Sequence, residues 1–199
     1  MHRPSTTAAI VAGGRARRFG GQDKSRLLVE GRTIIVRQVE LLQPLASAVL
    51  VIAPEVARFA DLPVRVVADR VAGIGAVGGI DAALHASQTA ATLVVAADMP
   101  YLTTPLLTLL IDRAPEARDG AWVSTARGVE PLVACYNATA RQSVAAFIAA
   151  GGRRARDLGE VLEMAAVGPA DLETVGDPAR LLTNINTPDD YARIQYGSA

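Results

Sequence analysis

The chain alternates short, mostly apolar runs with longer segments in which apolar residues recur every three or four positions. Apolar runs without charge are typical of strands buried on both faces of a sheet, whereas the longer spacing indicates helices with one buried face. The predicted strands cover residues 7–12, 48–53, 64–68, 92–97, 121–124 and 131–136. The predicted helices cover residues 34–43, 55–60, 80–88, 105–114, 138–150, 153–164 and 189–196.

The order of these elements predicts the fold class. Apolar strands that alternate with helices are typical of a mostly parallel sheet with helices on both faces. We therefore expect a three-layer α/β/α sandwich with a mostly parallel, doubly wound, Rossmann-like sheet. The chain has 199 residues, half of them hydrophobic, which suits one domain over residues 1–199.

Charge and cysteine content narrow the function classes. Twenty basic residues balance 20 acidic ones, which argues against a protein that holds nucleic acid or a membrane surface by bulk charge. No apolar segment approaches the length that crosses a bilayer, and the N-terminus shows no export signal. The single cysteine, Cys135, can form neither an internal disulfide nor a multi-cysteine metal site. We therefore expect a cytoplasmic protein.

The segment from Ala12 to Lys24 is the first candidate for chemistry, because it follows the first predicted strand. In such sheets, ligands bind beyond the carboxyl ends of the strands. Gly13 and Gly14 allow the backbone to approach a ligand, and Arg18 and Lys24 can add charge-assisted contacts to phosphates. The spacing is not that of a P-loop. A phosphate cradle is the functional interpretation, and a solvated turn is the alternative.

A second glycine-rich segment contains the spacing GxGxxG at Gly73, Gly75 and Gly78. Asp98 lies about 20 residues further on, where a dinucleotide-binding fold places its ribose-binding acid. Residues 69–72, however, separate these glycines from the preceding strand, and another strand–helix unit comes first. An NAD(P)-binding oxidoreductase therefore stays open as an alternative.

Asp98 is the third candidate, at the end of an apolar strand and before Met99 and Pro100. A carboxylate held there suits Mg²⁺, which proteins usually bind with one or two carboxylates together with substrate phosphates. A helix or turn cap is the alternative for Asp98, and equally for Asp69. Cys135 lies in an apolar strand, which favours a packed thiol over a nucleophile.

Four motifs, in this order, span nearly the whole chain: VAGGRARRFGGQDKS, ADMP, EPLVACY and NINTPDDY. Together they resemble the MobA-like nucleotidyltransferases. The resemblance implies that the chain transfers GMP from GTP to the terminal phosphate of Mo-molybdopterin, with Mg²⁺ as cofactor and pyrophosphate as the second product. It further implies a molybdenum-insertion protein and apo-molybdoenzymes as partners, with neither nucleic acid nor membrane.

The resemblance also implies roles for individual residues. Lys24 and Arg18 would contact the nucleotide phosphates, Asp69 the nucleotide, and Asp98 would hold Mg²⁺. The residues that would line the guanine nucleotide are Val11, Ala12, Gly13 and Gly14. The pterin side would be formed by the EPL and NINTP segments, with Asn184 or Asn186 assisting. The residues that would grip the acceptor phosphate are Arg153, Arg154 and Arg156.

Two departures from the family pattern bear on base selectivity. Residues 75–79 lack the usual proline, and Pro54 stands where the family has a polar nucleotide contact. The alternatives are CMP transfer to molybdopterin, nucleotide transfer to a sugar phosphate, and a non-catalytic nucleotide-binding partner of cofactor assembly. The joint presence of Lys24, Asp69 and Asp98 argues against the last of these.

Overall fold

The computed structural model describes residues 5–13, 23–71 and 73–196. The strands are β1 (Thr6–Val11), β2 (Leu28–Val29), β3 (Arg32–Thr33), β4 (Ala48–Ile52), β5 (Arg65–Val67), β6 (Ala91–Ala96), β7 (Gly120–Thr125), β8 (Gly128–Asn137) and β9 (Met164–Val167). The α-helices are α1 (Ile34–Leu42), α2 (Ala76–Ala86), α3 (Thr104–Arg113), α4 (Ala140–Ala149), α5 (Pro169–Glu173), α6 (Pro178–Leu181) and α7 (Pro188–Tyr196).

A seven-stranded sheet has the order β5-β4-β1-β6-β8-β7-β9. Strand β8 runs antiparallel to both of its neighbours, and the other pairings in this sheet are parallel. After β1 the chain adds β4 and β5 on one side, whereas β6 pairs on the other side of β1. The strand order therefore reverses between β1 and β6, and a crevice opens beyond their carboxyl ends.

Both faces of the sheet are buried, as the apolar runs predict. Every residue of β1 is buried, and its side chains alternate between the two faces. Ala8 and Ile10 pack in the core that includes α1 and α3. Ala9 and Val11 pack in the core that includes α2 and α4. The prediction of a mostly parallel sheet between two helical layers is confirmed.

Several predicted elements differ from the observed ones. The predicted helix over 55–60 is a single 3-10 turn, Val56–Phe59. The predicted helix over 153–164 is wrong: a 3-10 segment, Ala155–Glu160, leads into β9, which pairs in parallel with β7. The sequence of β9, MAAV, is too short to show an alternating pattern.

A small third core holds the C-terminal segment against the rest of the chain. Ile185 is fully buried beside Leu27, Val29 and Ile34, and the side chain of Tyr191 packs on the same cluster. This core lies next to the residues that follow the first glycine segment. No helix in the described ranges is both long and apolar enough to span a bilayer.

Candidate functional site

A cavity of about 120 Å³ lies at the carboxyl ends of β1 and β6, where the strand order reverses. It is lined by residues 11–13, 23–25, 96–98 and Leu132. The structure therefore brings five of the predicted site residues together on one cavity: Val11, Ala12, Gly13, Lys24 and Asp98. Gly14 and Arg18 lie outside the described residues.

The floor of the cavity is fixed by the sheet itself. The backbone N–H of Ala12 donates to the carbonyl of Ile52 at 2.8 Å, and that of Ala97 donates to the carbonyl of Val11 at 3.1 Å. The ring of Pro54 approaches the open side of Gly13, 3.9 Å from where a Cβ would stand. Pro54 therefore lies against the wall of the site.

Lys24 stands on a short 3-10 turn that the Asp23 side chain begins. One oxygen of Asp23 accepts from the Ser25 amide at 3.0 Å and from its hydroxyl at 2.8 Å. The other pairs with the Arg58 guanidinium at 2.7 Å. Because both carboxylate oxygens are engaged, the backbone that carries Lys24 is anchored to the body of the domain.

The Lys24 ammonium lies close to polar side chains from two distant parts of the chain, Asn186 and Asp98. Its Nζ atom donates to Oδ1 of Asn186 at 3.2 Å and lies 3.9 Å from Oδ2 of Asp98. About a quarter of each side chain of the Lys24–Asp98 pair is exposed. The arrangement leaves a cation and a carboxylate side by side at the mouth of the cavity, where both can reach a ligand.

The charge of Asp98 is set by opposing effects. Burial raises the pKa of its carboxyl above the ordinary range, and the positive charge of Lys24 acts in the other direction. The main chain of Asp98 is also fixed, because its carbonyl accepts from the Ile185 amide at 3.0 Å. A bound divalent cation would compensate the carboxylate more strongly than Lys24 alone.

The donor set fits a magnesium ion that binds together with phosphate. Carboxylate oxygen is a ligand of choice for Mg²⁺. Among the described residues, no group of three or more His, Cys, Asp or Glu side chains could hold a metal alone. An ion at Asp98 would therefore take most of its ligands from substrate phosphates and water, which is the usual arrangement for Mg²⁺ at nucleotide sites.

Asp69 lies at the same edge of the sheet but does not line this cavity. It follows β5, which is two strands from β1, so roughly 10 Å separates the two strand ends. Burial raises the pKa of the Asp69 carboxyl. The next residue, Arg70, is tied to the buried Asp81 of α2 at 3.1 Å, which anchors this loop to the helix behind it.

The glycines of the second glycine-rich segment, residues 73–79, lie just before α2 and in its first turn. Gly75 precedes the helix with a positive φ of 67°, and Gly78 and Gly79 already lie within it. The prediction of a loop as far as Gly79 was therefore wrong. A Cβ on Gly79 would stand 2.4 Å from Cγ1 of Val11, so this glycine lets α2 pack closely on β1. Each glycine of the GxGxxG spacing also has a local structural reason: Gly73 and Gly75 have positive φ angles of 79° and 67°, and a Cβ on Gly78 would stand 2.7 Å from Cγ1 of Ile74.

Two of the three arginines assigned to the acceptor phosphate, Arg153 and Arg156, contact different parts of the fold. Arg153 donates to the carbonyls of Ile148 and Gly152, at the end of α4. Arg156 pairs with Glu130 of the β7–β8 hairpin at 3.3 Å and stays largely exposed. Leu132 of the same hairpin lines the cavity, so the hairpin forms its other wall.

The sequence interpretation missed two residues that shape the site. Asp23 lies within a quoted motif, but the ion pair that ties its turn to the rest of the domain is with Arg58, which lies far along the chain. Gln38 is a buried polar residue on α1 that binds the backbone on both sides of Asp98. A polar residue on the apolar face of a predicted helix is a sequence feature that could have drawn attention to it.

Comparison with known proteins agrees with the geometry. The family model for the MobA-like NTP transferase domain matches residues 8–166. A protein of Chloroflexus aggregans named "Probable molybdenum cofactor guanylyltransferase" is 40% identical over 192 residues, covering 94% of this chain and 91% of its own. A Shewanella protein (strain ANA-3) named "Molybdenum cofactor guanylyltransferase" is 31% identical, covering 94% and 93%.

Solved structures share the fold. The crystal structure of molybdopterin-guanine dinucleotide biosynthesis protein A from Archaeoglobus fulgidus superposes with a TM-score of 0.81. The match covers 94% of this chain and 96% of that one, at 24% sequence identity. At this identity the likeness establishes the architecture of the sheet and its helices.

Proposed function

Because the chain belongs to the MobA-like NTP transferase family, we propose that it transfers GMP from GTP to the terminal phosphate of Mo-molybdopterin and releases pyrophosphate. The chain is a nucleotidyltransferase by family, and relatives at 40% and 31% identity carry the guanylyltransferase name. The observation that carries the proposal is the placement of Lys24 and Asp98 together on the cavity where the strand order reverses.

In this proposal Asp98 holds Mg²⁺. When bound, the ion would withdraw electron density from phosphate oxygens and neutralise their charge. Lys24 contributes a second positive charge on the same cavity, and Asn186 holds its ammonium in place. Val11, Ala12 and Gly13 form the wall along which the nucleotide lies, and Asp69 contacts the nucleotide farther along the sheet edge.

The chemistry requires no side-chain base. A phosphate monoester has a second pKa of about 6, so the acceptor oxygen is already an anion near neutral pH. The residues of the chain have to align this oxygen with the α-phosphorus and the departing pyrophosphate. Lys24 lies where it can neutralise charge that develops on the triphosphate. The proposal places the pterin against two parts of the chain, the β7–β8 hairpin and the segment around Asn186.

The same proposal implies which proteins supply the acceptor and receive the product, and in which compartment. A molybdenum-insertion protein would supply the molybdenum-loaded acceptor, and apo-molybdoenzymes would receive the product. Cys135 is a free, buried thiol, which is consistent with a reducing cytoplasm.

The test is pyrophosphate release with Mg²⁺ and Mo-molybdopterin, measured in parallel with GTP, CTP and ATP. Release with GTP alone is the expected result. Release with CTP alone would keep the reaction type and change the base. Nucleotide binding without pyrophosphate release from any of the three would contradict the proposal.

A further inference from the structure

Gln38 lies on the face of α1 that packs against the sheet and is 2% exposed. Its neighbours on this face of the helix are apolar: Ile35, Val39 and Leu42 are buried in the same core. The side-chain nitrogen Nε2 donates to the carbonyl of Ala96 at 2.7 Å and to the carbonyl of Met99 at 3.0 Å. One buried amide therefore binds the chain just before and just after Asp98.

The orientation of this amide is dictated by its partners. Both are carbonyl oxygens, which only accept hydrogen bonds, and an amide nitrogen has two N–H donors to offer. The nitrogen of Gln38 must therefore face the turn. The opposite atom, Oε1, is buried and has no partner among the described residues.

The turn that carries Asp98 needs this support. The pairing of β6 with β8 ends at Val95, so the residues that follow have no ladder partner on that side. The amide of Ile185 holds the Asp98 carbonyl from the C-terminal segment, and Gln38 holds the flanking carbonyls from α1. The backbone of Asp98 is thus fixed from two directions.

An apolar side chain of similar length would fill the same space without leaving a buried oxygen unpaired, but it would take the donors away from the Ala96 and Met99 carbonyls. The one thing that glutamine adds is a pair of directed hydrogen bonds to the turn.

From these contacts we infer that Gln38 is a positioning residue for Asp98. It fixes the backbone on both sides of Asp98 and so sets where the carboxylate stands relative to Lys24 and the nucleotide phosphates. The inference rests on the proposed function, in which Asp98 holds Mg²⁺. Residues that orient a metal ligand commonly change metal affinity or activity by about 10- to 100-fold when they are replaced.

The test compares Gln38→Met, which keeps the volume and removes the donors, with Val39→Ala on the same helix. Val39 is buried but belongs to the packing core only, so its variant reports general destabilisation of α1. Gln38→Asn serves as a second variant, because its shorter amide keeps the polarity but cannot reach both carbonyls.

Two measurements are made on each protein. The first is hydrogen exchange without metal in the peptide over 96–101, which contains the Ala97 amide, with the peptide over 120–125 as internal reference. The second is the Mn²⁺ affinity in the presence of GTP, together with the Mg²⁺ concentration that half-saturates pyrophosphate release.

We expect Gln38→Met to speed exchange at 96–101 only, and to raise the half-saturating metal concentration roughly tenfold or more. Val39→Ala should lower the melting temperature but leave the metal dependence within about twofold. If Gln38→Met and Val39→Ala need the same metal concentration for half-saturation, the inference is overturned. It is also overturned if exchange at 96–101 is unchanged in Gln38→Met. If the wild-type protein releases no pyrophosphate, the proposed function fails, while exchange and Mn²⁺ binding still decide the role of Gln38.

Discussion

Lys24 Nζ lies 3.9 Å from Oδ2 of Asp98, which is beyond hydrogen-bonding distance. A closed ion pair would occupy both groups and would have to be broken before a ligand could bind. At this separation the two charges still attract each other, and the contact is not a closed ion pair. This geometry is consistent with the proposed ligand, a nucleotide that binds together with a metal.

Asp98→Asn tests the metal assignment with a nearly isosteric change. We expect pyrophosphate release to fall by roughly a hundredfold or more, because the amide oxygen carries no charge for a divalent cation. The melting temperature at pH 7.5 without metal should stay the same or rise slightly. Burial raises the pKa of Asp98, which means that the fold disfavours the charged carboxylate. Near wild-type turnover at saturating Mg²⁺ would remove Asp98 from the metal site.

Lys24→Met tests the phosphate contact. Hydrogen bonds to charged groups are worth about 1.5–3 kcal/mol, so GTP should bind about 10- to 100-fold more weakly. Arg26→Met is the matched control, because it removes one positive charge from the same turn. Arg26 is already held by both oxygens of Asp61, at 2.7 and 2.5 Å. Titration calorimetry with GTP should show a change of less than about twofold for this control, and equal losses in both variants would indicate a general charge effect.

The sequence predicts those parts of the site that depend on the local pattern of apolar and polar residues. Strands β1 and β6 carry no charge and are mostly apolar because both of their faces are buried, so their ends, and with them residues 11–13 and Asp98, could be placed at one edge. The hairpin of β2 and β3 was missed, because two-residue strands carry no periodicity.

The contact between Lys24 and Asn186 could not be predicted in this way. The motif alone leaves Asn184 and Asn186 equivalent. In the structure Ile185 is buried between them against Leu27 and Ile34, and it is Asn186 whose Oδ1 accepts from the Lys24 ammonium. This choice depends on tertiary packing between the two ends of the chain, which no local pattern records.

Gly79→Ala tests how closely α2 must approach the wall of the site. Alanine in a helix is favoured over glycine by about 1 kcal/mol, but here its Cβ would stand 2.4 Å from Cγ1 of Val11. Overpacking of this kind costs about 1–3 kcal/mol, so the variant should be less stable in urea unfolding. In a Val11→Ala background the same change should become neutral or stabilising, because the obstructing methyl group is gone. Additive losses in the double variant would contradict this account.

The Asp190 carboxylate makes the C-terminal anchor sensitive to pH. It accepts from the amides of Asn186 and Thr187, at 3.0 and 2.9 Å, and the Thr187 hydroxyl accepts from the Asp190 amide. Hydrogen bonding to Thr187, with further help from the Asn186 amide, lowers the pKa of Asp190. A lowered pKa stabilises the fold above the unfolded value of about 3.9, and this contribution is lost as pH falls through the folded pKa.

We therefore expect Asp190→Ala to destabilise the protein by about 1 kcal/mol at pH 7, as other losses of a helix cap do. The difference from wild type should shrink as the pH of the urea titration is lowered from 6 towards 3. Asp189→Ala removes the same charge from the same first turn of α7 and serves as the control. A difference that stays constant over this range, or an equal pH dependence for Asp189→Ala, would argue against the cap.

The rate at which a reagent modifies the Cys135 thiol measures how readily the sheet opens. Cys135 lies in β8, is fully buried, and its pKa is raised by burial to about 12. At pH 8 the buried thiol therefore stays protonated, and it is not accessible to a reagent in solution. A disulfide reagent such as DTNB should therefore leave the folded protein almost unmodified over hours, and should label one thiol per chain within minutes in 6 M guanidinium chloride. Destabilised variants such as Gly79→Ala should react faster in buffer, by about tenfold for each 1.4 kcal/mol of lost stability, because labelling then proceeds through transient opening of the sheet. Stoichiometric labelling of the folded wild-type protein within minutes would show that β8 opens far more readily than its burial implies.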